Sequence, residues 1–220
     1  MGFIEDFFTI LKTYNETIWI ITIFTYILGL LAIYLSAKKI KHSGKIISSI
    51  LGFLWLWSGI VFHIMFYGPT DVEFLGQTMS GVWYFSGILF IIQGVLFLVI
   101  GVIRDSLSFQ IKKNPCSIIG SIFVIYSMVI YSAIGLITGY VYPEYPIFGT
   151  APCPVSIFTV GLLLFSDKKI PIYISIIPLI WAIMGFMPVF ELSVWADIGL
   201  ILSGIIGFPL ILLHNKNIGK

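Results

Sequence analysis

Charge is what this chain has least of. Twelve Lys and Arg and ten Asp and Glu make up 10% of its 220 residues, against roughly a quarter in a soluble domain. A soluble fold that is 59% hydrophobic would expose large apolar patches and aggregate. A net charge of +2 leaves no basic surface for nucleic acid. Cysteine is equally scarce, with only Cys116 and Cys153. The first residues, MGFIEDFFTILKTYNET, are acidic where a cleavable signal would be basic, and no small-residue cleavage site follows. Gly2 is not followed by the Ser or Thr of a myristoylation signal. No GxSxG, HExxH, Walker A or GxGxxG stands in a suitable context. The last apolar run has no lysine for a retinal Schiff base, and acids are too few within the apolar runs for a proton-driven antiporter.

What is abundant is apolar length. Mean hydropathy is +1.06, and a helical span needs roughly 20 mainly apolar residues. The expected fold is all-α, a polytopic transmembrane bundle of seven helices. Residues 1–17 read as an interfacial amphipathic segment, 18–214 as the transmembrane domain and 215–220 as a tail. The spans fall near 18–36, 46–67, 81–103, 117–138, 152–166, 170–189 and 198–214. Seven crossings send 11 of the 12 Lys and Arg to one side and 8 of the 10 acids to the other. The positive-inside rule then puts the N-terminus outside and the C-terminus in the cytoplasm of a cell membrane. Small residues at Gly52, Gly59, Gly87, Gly94 and Gly101 mark faces for close helix packing. Tyr14, Trp19, Trp83, Tyr140, Tyr142, Tyr145 and Trp195 read first as an aromatic belt.

The stretch 140–159, YVYPEYPIFGTAPCPVSIFT, carries four of the ten prolines. Proline fixes its own φ and donates no backbone hydrogen bond, so this crossing is stiff and irregular. Span 5 behind it, at 15 residues, gives only about 22 Å, short of the roughly 30 Å hydrocarbon core. Either the 148–150 backbone dips into the membrane ahead of it, which is tolerated only under a cover of protein or water, or the span sits in a locally polar vestibule. Cys153 begins that span, where helix-terminal N–H groups favour a thiolate. His63 is the histidine within a predicted span, and an intramembrane ionisable group is a functional candidate. The alternative is a neutral imidazole bonded to a neighbouring carbonyl or tyrosine. Cys153 and His63 together offer soft donors for a transition metal, with Glu144 or Asp197 as a third. Pro-Cys-Pro also reads as no more than a helix entry. Gln93 lies mid-span facing a neighbour, and Asp197 reads equally as a helix N-cap.

The chain resembles a family of bacterial and archaeal multispanning membrane proteins of unknown function. The residues that carry the likeness are Tyr14, Asn15 and Trp19, then Trp55, Trp57, Gly59 and His63, then Gln93. The most specific part is YPxxPxFGxxPCPxxIFTxGLL, from Tyr142 and Pro143 through Pro146, Phe148, Gly149, Pro152, Cys153, Pro154, Ile157, Phe158 and Thr159 to Gly161, Leu162 and Leu163. The resemblance spans nearly all 220 residues and implies where a site lies, without a mechanism.

The functional expectation is an outward-facing pocket for a small solute or ion, in a transporter or transport accessory. Its ligand-binding residues are His63, Gln93, Tyr142, Glu144, Cys153 and Asp197. Its metal donors, should a metal bind, are His63 and Cys153, and no other cofactor is called for. A non-transporting sensor or scaffold is the alternative, and an intramembrane enzyme would need a second catalytic group about 3 Å from Cys153 or His63. The expected partners are the lipid bilayer and the solute, not nucleic acid, with room for a homo-oligomer.

Overall fold

Within lipid a backbone must satisfy its own hydrogen bonds, which leaves helices as the spanning element for so apolar a chain. A computed structural model, describing residues 3–74 and 76–218, is built that way. Six helices are long and apolar enough to cross: α1 (Phe3–Lys38), α2 (Ser43–Tyr67), α3 (Val82–Ile103), α4 (Pro115–Ile137), α6 (Ile172–Glu191) and α7 (Trp195–Ile218). The seventh, α5 (Pro152–Leu163), has 12 residues. A short hairpin of β1 (Val72–Phe74) and β2 (Gln77–Met79) joins α2 to α3. Met1, Gly2, Leu75, Gly219 and Lys220, and the side chains of Phe3, Glu73 and Phe74, lie outside the described residues.

The short helix is the middle of the molecule. Every residue from 146 to 166 is buried, so a helix of about 18 Å never has to match the bilayer alone. The segment still passes from end to end. Asn15 of α1 donates to the carbonyls of Pro143 and Tyr145 (2.6 and 2.9 Å) at its start. At its finish the Gln110 amide donates to the Phe165 carbonyl (2.7 Å). The non-helical backbone is covered as expected: Tyr14 donates to the Thr150 carbonyl at 2.8 Å, and Thr25 to that of Phe148 at 3.3 Å. Gly149 turns there with φ of 81°, and a Cβ on it would stand 2.4 Å from the Thr25 side chain. No other residue fits.

Neighbouring helices reach α5 through small or paired groups. A Cβ at Gly161 would lie 2.8 Å from the Gly120 carbonyl oxygen of α4, and one at Gly120 would lie 2.6 Å from that of Gly161. Trp55 of α2 donates to Thr159 at 2.8 Å. The glycines of α2 and α3 form the expected ladder. A Cβ at Gly59 would sit 2.9 Å from the Gly87 carbonyl, and one at Gly94 would sit 3.0 Å from that of Gly52.

The basic loops share one end. Lys39 pairs with Asp167, and Lys45 with Asp105 at 3.6 Å. Burial works to raise the Asp167 carboxyl. Hydrogen bonds from Lys39 and Ser108, with the Lys39 charge, more than reverse it and hold the group below the ordinary aspartate value. Lys12 meets Glu144 at 3.5 Å at the opposite end.

Three expectations are revised. Residues 4–17 continue unbroken into the first span as one 36-residue helix, with Phe7, Leu11, Tyr14 and Ile18 buried along one stripe. Tyr14 and Trp83 belong to the core and not to an aromatic belt, whereas Trp19, Tyr142 and Trp195 are exposed. The tail from 215 is helical to Ile218, and buried Asn215 holds both the N–H and the carbonyl of Ile170 at 2.7 Å. These side chains share one cause: each had a packing partner distant in sequence.

The glycine ladder sets a test. Gly87→Leu should overpack the α2–α3 seam and cost about 1–3 kcal/mol, read as a lower midpoint of thermal unfolding in detergent. A Gly87→Leu protein as stable as the parent would refute the seam.

Candidate functional site

A cavity of about 330 Å³ lies beside the start of α5. Its inner end is made by Cys153, Asp197 and Trp181, and its walls by Phe62, Trp83 and the 183–188 turn of α6. The π-helical turn at Tyr126–Ile130 in α4 places two tyrosines here. In a helix with i→i+5 bonds, residues five apart fall over one another, so Tyr126 and Tyr131 both face the start of α7. Tyr131 donates to Asp197 Oδ1 at 2.6 Å, and Tyr126 to the Ala196 carbonyl at 2.8 Å. Gly199 makes room: a Cβ there would stand 2.0 Å from the Tyr126 ring.

Asp197 does not cap α7 with its side chain. Its carboxylate turns inward, 1% exposed, between the Tyr131 hydroxyl and the Cys153 thiol. Cys153 in turn adjoins Trp181. Among the described residues no Lys, Arg or His forms an ion pair with Asp197.

The six residues expected from sequence separate into four groups. Cys153 and Asp197 meet at the inner end of the cavity. His63 stands behind its wall, fully buried, with ring centroids 4.8 Å from Phe90, 5.2 Å from Trp181 and 5.8 Å from Trp83. Neither of its nitrogens has a hydrogen-bond partner among the described residues. Gln93 is buried away from the cavity, donating to the Ile174 carbonyl at 2.8 Å, which ties α3 to the start of α6. Tyr142 and Glu144 hold the crossing to α1, through the Asn15 carbonyl (3.2 Å) and Lys12 (3.5 Å). Among the described residues no three His, Cys, Asp or Glu side chains converge to hold a metal ion. Cys153 and Asp197 supply two donors, and His63 is enclosed by aromatic rings.

Tyr131, Trp181 and Trp83 were not expected at the site. A phenol inside an apolar span was the available signal for Tyr131, but its partner lies 66 residues away. Trp83 was visible in the sequence and read as interfacial.

Removing the Tyr131 donor should be costly. Tyr131→Phe leaves a buried carboxylate without its hydroxyl and should lower stability by about 1.5–3 kcal/mol, measured by thermal unfolding in detergent. Tyr34→Phe, at an exposed tyrosine, should change nothing. Equal stability of both variants would show that the pair carries no energy.

No curated protein and no solved structure matches the chain. One family model does, over residues 4–219, under the description "Family of unknown function (DUF6064)". With that match across almost its whole length, and with helices built to cross a bilayer, this multispanning membrane protein belongs to the DUF6064 family.

Proposed function

We propose that the protein binds a small solute in the cavity beside Cys153, as a transporter or transport accessory of the cell membrane. The observation that carries this is Asp197, a buried carboxylate without a basic partner among the described residues, at the inner end of a cavity of about 330 Å³. A charge so placed is expensive unless compensated, and pockets of this size with few polar groups suit small ligands. In this reading Asp197 and Cys153 touch the solute, Tyr131 positions the carboxylate, and the His63 ring supports Trp83 and Trp181 from behind. The N-terminus lies outside and the basic loops in the cytoplasm, on the charge asymmetry. The pocket then faces the outer half of the membrane.

A sensor that binds without moving its ligand is favoured by one observation. Beyond Cys153 the central helix is packed on every side, with Val155, Ile157, Phe158, Leu162 and Leu163 inaccessible to solvent.

Thermal-shift screening of the purified protein against small solutes should yield ligands that raise the unfolding midpoint. Met184→Trp, which puts bulk into the cavity wall, should abolish the effect. Ligands that stabilise both proteins equally would remove the cavity from consideration. Flux of a confirmed ligand into proteoliposomes supports transport, and saturable binding without flux supports the sensor. For orientation, a membrane-impermeant thiol reagent applied to intact cells should label Glu144→Cys and spare Lys113→Cys, both in a Cys153→Ser, Cys116→Ser background. The reverse pattern would invert the threading.

A further inference from the structure

The cavity is open sideways. Its rim includes Met79 of the hairpin and Ile183, Met184 and Phe186 of α6, all exposed. Their neighbours on the outer faces of α3 and α6, including Phe85, Ile88 and Phe190, are exposed and apolar as well. Gln93 ties α3 to α6 near the basic end. Toward the other end the two helices part around the cavity, with Trp83 on one wall and Trp181 on the other. An occupant can therefore arrive from the lipid, and its body must be apolar.

The chemistry at the inner end is of one sign. Among the described residues Asp197 is the one acidic residue lining the cavity, and no Lys, Arg or His lines it. An anion would meet a carboxylate and aromatic faces, both repulsive to it. A cation would meet a carboxylate already held by Tyr131, and the rings of Trp83, Trp181 and Phe62, whose faces attract positive charge. A bare metal ion fits poorly, because hard cations require about six oxygen ligands and among the described residues no three acidic, histidine or cysteine side chains converge. An organic cation brings its own apolar surface and needs only the one counter-charge.

We propose that the cavity takes an amphipathic organic cation, an amine or quaternary ammonium on an apolar body, entering between α3 and α6 with its charge on Asp197. This rests on the reading of the cavity as a ligand site. At about 330 Å³ the space lies at the small end of the range for organic ligands.

Three probes of matched shape test it: 4-phenylbutylamine, 4-phenylbutanol and 4-phenylbutyrate. Each is titrated at pH 7 into the full chain in lipid nanodiscs and followed by fluorescence of the tryptophans, two of which line the cavity. The amine should bind at least about tenfold tighter than the alcohol, as expected for a desolvated charge pair, and the carboxylate weakest. Asp197→Asn still accepts from Tyr131. It should erase the advantage of the amine over the alcohol, with the folding of the variant read separately from its unfolding midpoint. Met184→Trp should abolish binding of all three. Equal affinity of amine and alcohol, or an amine preference that survives Asp197→Asn, overturns the cation class. Alcohol binding that Met184→Trp removes would then leave the cavity standing as a ligand site. No saturable binding by any probe overturns both readings.

Discussion

The fold depends on concealing a stretch of irregular backbone inside the helix bundle. Residues 146–151 are not helical, and lipid offers nothing to their N–H and C=O groups. The answer is to put them, and the short helix they lead into, inside a ring of longer helices. Tyr14 and Thr25 of α1 bind the carbonyls of Thr150 and Phe148, and Asn15 those of Pro143 and Tyr145 just before them, while Trp55, Gly120 and Val160 fit the helix to α2, α4 and α7. The candidate site follows from the same arrangement. Where the irregular backbone becomes helix, at Pro152 and Cys153, packing is interrupted and a cavity remains.

Much of this was legible from residue types alone. Hydropathy located the spans, charge sorted the loops, and the prolines with Cys153 pointed to the crossing. The glycine ladder of α2 and α3 could be read because small residues recur at helical spacing. What could not be read were pairings across distant sequence. Asp197 before an apolar run looks like a cap, and only the arrival of Tyr131 from α4 makes it an inward-facing acid. Trp83 looks interfacial until Phe7, Tyr67 and His63 are seen packed around it. Glu144 and Tyr142 are near Cys153 in the chain, yet they turn to α1 instead. Proximity in sequence misled where the crossing bends.

Wide helical turns recur beside the site. Ser58–Tyr67 in α2 carries His63, and Tyr126–Ile130 in α4 precedes Tyr131. Each rotates side chains away from the positions a regular helix would give, which is how His63 comes to stand behind the cavity wall and Tyr131 to meet Asp197 from another span. His63 gains nothing polar from this, since rings surround it on several sides.

The order of the chain gives the buried helix a difficulty of timing. α5 emerges from the ribosome before α6 and α7, which supply part of its cover, and it is too short to rest across a bilayer unaided. Until those two helices arrive, the insertion machinery or the four preceding helices must shelter it. The pair of hydrogen bonds between Asn215 and Ile170 likewise forms only once α7 is in place, so the anchor at the start of α6 waits on a helix made after it.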